Sequence, residues 1–81
     1  MSKFEKLRTR LLSKPNDFTW DELVSLLGKL GYREMAGGGS RRKFISERNE
    51  IISMHKPHPA KILKTYAVNE VIEHLKEKGK I

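Results

Sequence analysis

Three consecutive glycines, Gly37–Gly39, sit near the middle of the chain, and the residue periodicity changes across them. Before them, Trp20, Leu23, Val24, Leu27 and Leu30 recur at the spacing that lines one face of a helix. After them, residues 41–46 alternate, with Arg42 and Phe44 on one side and Arg41, Lys43 and Ile45 on the other. A glycine run can extend neither pattern, because it offers no side chain to bury and has the most backbone freedom to lose. The chain has to turn here, and the turn feeds a strand that opens with three adjacent cations.

The helix before the turn is the best-signalled element. Thr19 and Glu22 have capping-box spacing, with Phe18 and Leu23 placed as a hydrophobic staple. Gly31 is positioned to end the helix in a left-handed conformation. Trp20 shares the apolar stripe, which assigns it to the core rather than to a base-stacking role. Upstream, Phe4, Leu7 and Leu11 predict a short amphipathic helix over residues 3–13, closed before Pro15.

Downstream, residues 32–36 read as a first strand, 41–46 as a second and 51–55 as a third. The polar turn 47–50 joins the last two as an antiparallel hairpin, and Pro57 and Pro59 stop the third strand. Ile62 and Leu63 are expected to bridge from the following loop into the core. Val68, Val71, Ile72 and Leu75 predict a closing helix from Tyr66 to about Lys78, flanked by Ala67 and ended at Gly79. His74, beside Glu70, Glu73 and Glu77, is expected on its exposed side. The order is a leading helix followed by α-β-β-β-α, which is that of double-stranded-RNA-binding domains. The expected fold class is α+β, a two-layer sandwich with a three-stranded antiparallel sheet and helices on one face.

With 81 residues, the expectation is a single domain over 1–81, its leading helix in 1–15 and its core in 16–81. The formal net charge is +7 and is unevenly placed. Residues 1–36 carry 7 basic and 5 acidic side chains, residues 37–64 carry 7 and 2, and residues 65–81 carry 3 and 3. The excess falls on the strand region, which points to a polyanion partner. There is no cysteine, so disulfides and thiolate metal sites are excluded. Absence of a membrane-length apolar run and of a signal-peptide core leads to a cytoplasmic expectation, with no membrane partner. Two histidines spaced by proline are too few for zinc. There is no Gly-x-x-x-x-Gly-Lys-Ser/Thr phosphate loop. No cofactor and no metal are expected.

Gly39-Ser40 opening a cationic strand, and His58-Pro59-Ala60-Lys61 before the closing helix, resemble the HicA family of bacterial mRNA-interferase toxins. Phe44, Leu63, Val68, Val71 and Ile72 fit the same pattern, and the resemblance spans roughly residues 19–79. It implies a double-stranded-RNA-binding-like fold, RNA (mRNA) as substrate and a HicB-like antitoxin as partner. It also implies a catalytic histidine just after Gly-Ser, where this chain has Arg41 and Arg42.

That departure bears directly on chemistry. Cleaving RNA without metal takes a base for the 2′-hydroxyl and an acid for the departing 5′-oxygen, and histidine suits both. Arginine stays protonated and cannot serve as the base, although it can hold a phosphate bidentately. One expectation is therefore that His55 or His58 supplies proton transfer across the sheet from Arg42, with Lys43 assisting. Gly39 and Ser40 would shape the approach, while Arg41, Arg42, Lys43, Lys56 and Lys61 grip the RNA backbone. The competing readings are a nucleic-acid-binding module that does not cut, and a basic domain that docks an acidic protein.

Overall fold

The computed structural model describes residues 2–57 and 60–81. Helix α1 spans Lys3–Leu12, α2 Trp20–Lys29 and α3 Thr65–Glu77; the strands are β1 Arg33–Ala36, β2 Arg41–Ile45 and β3 Ile51–His55. The predicted order and fold class are those observed. Element boundaries differ from the sequence expectation by only one residue at most ends.

Local chemistry accounts for the helix ends. Ser2 caps α1 by accepting from the Glu5 N–H, and both reciprocal bonds of the capping box join Thr19 and Glu22 at α2. Phe18 and Leu23, the two halves of the staple, are fully buried. Helices α2 and α3 then end alike. Gly31 takes φ 91° while Tyr32 N–H reaches back to Leu27 C=O, and Gly79 takes φ 70° while Lys80 N–H reaches Leu75 C=O. With Gly31 bonded to Gly28 and Gly79 to Lys76, each is a Schellman closure, which satisfies carbonyls that the helix leaves over.

The sheet order is β1-β2-β3, both pairs antiparallel. Its register assigns every side chain to a face. Glu34, Phe44 and Ile52 share one cross-strand row, and Ala36, Arg42 and Met54 the next; this face meets the helices, with Phe44 and Ile52 buried. The open face carries Arg33, Ile45 and Ile51, then Met35, Lys43 and Ser53, then Arg41 and His55. Met35 and Ile51 are each 51% exposed there.

The core joins Leu7 and Leu11 of α1, Trp20, Leu23, Leu26 and Leu27 of α2, Phe44 and Ile52 of the sheet, and Val68, Val71, Ile72 and Leu75 of α3. Each large apolar side chain buried in it stabilises the fold by about 1.5–3 kcal/mol relative to exposure. Trp20 lies in this core, its ring centroid 5.4 Å from that of Phe44. Leu26, outside the expected stripe, is fully buried because α2 packs against both α1 and the sheet. Val24 and Leu30, inside that stripe, are only half-buried.

Two expectations are corrected. Leu63 enters the core, but Ile62 stays 43% exposed, since residues 61–63 run as a short extended segment against residues 18–20. Trp20 N–H donates to Lys61 C=O and Leu63 N–H to Phe18 C=O, each at 2.8 Å, so alternation turns Ile62 outward. His74 is half-buried rather than exposed, and its Nε2 lies 2.9 Å from the Tyr32 hydroxyl.

Candidate nucleic-acid interface

The glycine run forms a defined hairpin turn. Arg41 N–H donates to Gly38 C=O, closing a β-turn whose second residue, Gly39, has φ 60°. Arg41 C=O accepts from Gly37 N–H, so Gly37 and Gly38 together oppose the single residue Arg41 as a bulge. The approach is close. A Cβ on Gly37 would stand 3.1 Å from Arg41 Cβ and 3.2 Å from its carbonyl oxygen. Glycine is thus needed at 37 for space and at 39 for backbone conformation, and the turn aims Arg41 from a fixed position.

Past the turn, Ser40 C=O accepts from Lys56 N–H at 2.8 Å, which extends the β2–β3 ladder beyond the strand ends. This tether brings Ser40 Oγ to 3.3 Å from His55 Nδ1. His55 is paired with Arg41, not with Arg42. The expected arrangement of His55 across the sheet from Arg42 is therefore corrected. The two lie on opposite faces, because Arg42 pairs with Met54.

Arg42 is turned to the helix side, where its guanidinium lies 3.5 Å from a Glu34 carboxylate oxygen and donates to the Gly39 and Arg41 carbonyls at 2.9 Å each. Its hydrogen bonds thus hold the turn. Arg41 and Lys43 project on the open face with His55 and Ser53. Among the three cations that open the strand, those two are the exposed ones.

Two clefts meet at His55. The larger, about 520 Å³, is bordered by Gly37, Gly38 and residues of β2 and β3, including Arg41, Arg42, Lys43, Ser53 and His55. The second, about 320 Å³, lies between the exit of β3 and the start of α3 and includes His55, Lys56, Ile62, Lys64 and Tyr66. No carboxylate is among the described residues lining either cleft. Lys61, expected at the interface, is exposed beside the second cleft and contributes its carbonyl to Trp20. His58 lies outside the described residues.

Sequence reasoning missed Lys64 and Tyr66. Tyr66 is 59% exposed, although it is aromatic. A helical projection would have found it, since it falls in line with Glu70 and Glu73 on the polar side of α3, away from Val68, Val71 and Ile72. The end of α3 that opens on this cleft has no side-chain cap and no acidic residue in its first turn. Its backbone dipole therefore adds to the positive field.

At the opposite end of the strands lies a polar cluster of a different kind. Burial pushes the Tyr32 hydroxyl pKa up and the His74 pKa down, and the two groups share a hydrogen bond. Lys80 pairs with Glu50 at 3.3 Å and lies 6.0 Å from the centre of the Tyr32 ring. Ser46 Oγ donates to Glu50 and accepts from the Arg48 and Glu50 N–H groups, with Asn49 left-handed at φ 62°. These contacts tie the β2–β3 hairpin to α3 and hold the sheet whose other end carries His55.

A helix-backed, three-stranded α+β sandwich with an open cationic sheet end, its clefts lined by no carboxylate among the described residues, is the class that fold and site define. A family model described as "HicA toxin of bacterial toxin-antitoxin" matches residues 20–77, and the chain belongs to that family. It is accordingly a toxin of a toxin–antitoxin pair, with an antitoxin as its counterpart. No curated protein and no solved structure matches the chain. No helix among the described residues is long and apolar enough to cross a membrane, and no cluster of potential metal ligands occurs among them.

Proposed function

We propose that this toxin grips messenger RNA on the open end of its sheet and cleaves it without metal. The observation that carries the reading is His55, which touches Ser40, faces Arg41 across the ladder and borders both acid-free clefts. Arg41 and Lys43 hold the backbone phosphates, and Arg42 supports the turn that presents them. Lys56 and Lys61 extend the positive track.

In the cleavage step, His55 takes the proton of the 2′-hydroxyl. The freed oxygen pair forms the bond to phosphorus, and the P–O5′ bond breaks with its electrons going to O5′. Lys43, on the same open face, donates the proton that O5′ requires. Products are a 2′,3′-cyclic phosphate and a 5′-hydroxyl end, so protons and electrons balance. Arg41 stabilises the charge that builds on the phosphoryl oxygens. Ser40 orients the imidazole. The antitoxin covers this face and shuts RNA out, in a cytoplasmic, single-domain protein.

The second reading is RNA binding without cleavage, favoured by Arg41 and Arg42 standing where the family pattern has histidine. Incubating the purified protein with single-stranded RNA in chelator separates the two. Cleavage that leaves cyclic-phosphate ends supports the enzyme. Salt-sensitive binding with intact RNA supports the binding module. Absence of RNA affinity at moderate salt would overturn both.

A further inference from the structure

The second cleft has a composition that phosphate binding alone does not explain. Its walls include Ile62 and the ring of Tyr66, both outward-facing and substantially exposed, while Lys56 and Lys64 stand on its rim. A single exposed aromatic on a surface is ordinary. Here three features coincide: the aromatic lies on the polar side of its helix, its surroundings are cationic, and the cleft shares His55 with the larger basic cleft. Aromatic rings beside cations are what unstacked RNA bases meet, because every base has a face to stack and a phosphate on either side. The volume, about 320 Å³, is in the range of small-molecule sites.

We propose that this cleft is a base pocket, in which one nucleobase of single-stranded RNA stacks on Tyr66 against Ile62 while Lys56 and Lys64 meet its flanking phosphates. This rests on the RNA reading above and deepens it. The backbone runs from the basic cleft past His55, and the next base turns into the pocket. Tyr66 is thus a binding residue that selects unpaired RNA, since a base inside a duplex cannot leave its stack without cost.

The test uses the full chain and a short single-stranded RNA carrying 2-aminopurine at one position, scanned along the oligonucleotide. Wild-type protein is expected to quench or shift the fluorescence at one position. Removing that base from the RNA should weaken binding by roughly 5- to 150-fold, as the loss of one base–aromatic stack does. Tyr66→Ala should weaken binding of the intact RNA similarly and bind the abasic RNA as wild type does. Tyr66→Phe should bind within about 2-fold of wild type, since the ring face is kept.

Equal affinity of wild type and Tyr66→Ala for intact RNA would overturn the pocket while leaving the RNA grip standing. No binding by wild type would instead overturn the RNA reading itself. The abasic scan needs no variant, so wild-type binding that weakens at no abasic position would overturn the pocket even if Tyr66→Ala proves poorly folded.

Discussion

His55 and Arg42 lie on opposite faces of the sheet, although the three cations of β2 run consecutively from Arg41 to Lys43. This splits the cationic strand into two jobs. Arg41 and Lys43 share the open face with His55, whereas Arg42 holds the turn through Glu34 and two carbonyl groups.

Arg41→Ala is expected to weaken RNA binding and lower the slope of log affinity against log salt by about 1, as the loss of one phosphate contact does. Its thermal stability should stay within about 0.5 kcal/mol of wild type, because the side chain is exposed. Arg42→Ala should behave oppositely, losing about 1 kcal/mol of stability with the hydrogen bonds it makes and changing the salt slope little. Equilibrium denaturation and a salt titration of RNA affinity read both.

His55→Ala is expected to lower the cleavage rate by about 10²–10⁴-fold while RNA affinity changes little, the range for losing a general base. Ser40→Ala should lower it less, since Ser40 only orients the ring. Single-turnover cleavage measured in chelator checks this. Unchanged cleavage by His55→Ala would remove His55 from the chemistry.

The glycine turn makes a three-way comparison. Gly39→Ala should cost about 1–2 kcal/mol, because a Cβ is strained in the left-handed region. Gly37→Ala should also destabilise, by about 1–3 kcal/mol, because the added methyl crowds the Arg41 backbone. Gly38→Ala has open space and no positive φ, and should be nearly neutral. Chemical denaturation of the three variants gives the order directly.

Stability should decline on mild acidification, and His74 fixes the sign. Burial leads the causes that lower its pKa below 6.5, with Lys78 and Lys80 acting the same way and Glu50 and Glu77 opposing. The unfolded chain then binds the proton at a higher pH than the folded one. The contribution is complete above about pH 6.5 and is lost as pH falls through the folded value. The Tm should begin to drop as pH falls below about 6.5, and the drop should shrink in His74→Gln. Glu50, whose own pKa is lowered, adds a loss of the same sign at lower pH. There its burial opposes the shift, and the Ser46 and Lys80 bonds outweigh it.

Much of the fold was legible because its signals are local. The capping box, the staple and the two terminating glycines each act within a few residues, and the alternation in β2 put Arg42 and Phe44 on one face, as observed. The facing of His55 was not legible, since it depends on the β2–β3 register, which the Ser46–Glu50 hairpin sets at the far end of the strands. The fate of His74 was hidden for a related reason. Its partner Tyr32 is 42 residues away, so its neighbours Glu70, Glu73 and Glu77 suggested solvent. At the site, the cations and His55 could be nominated from sequence. Tyr66 could have been, because its phase on α3 departs from the apolar stripe.

One carboxylate described above reaches further than its own helix. Glu22 closes the capping box of α2 and also receives Arg10 from α1, whose guanidinium reaches Asp17 as well. The residue after the cap, Trp20, hands its N–H to Lys61 beside the second cleft. The leading helix, outside the segment that the family model matches, is therefore wired to the frame of the proposed base pocket through one acidic side chain. A change at Arg10, which lines neither cleft, is therefore expected to loosen the hold of α1 on the start of α2.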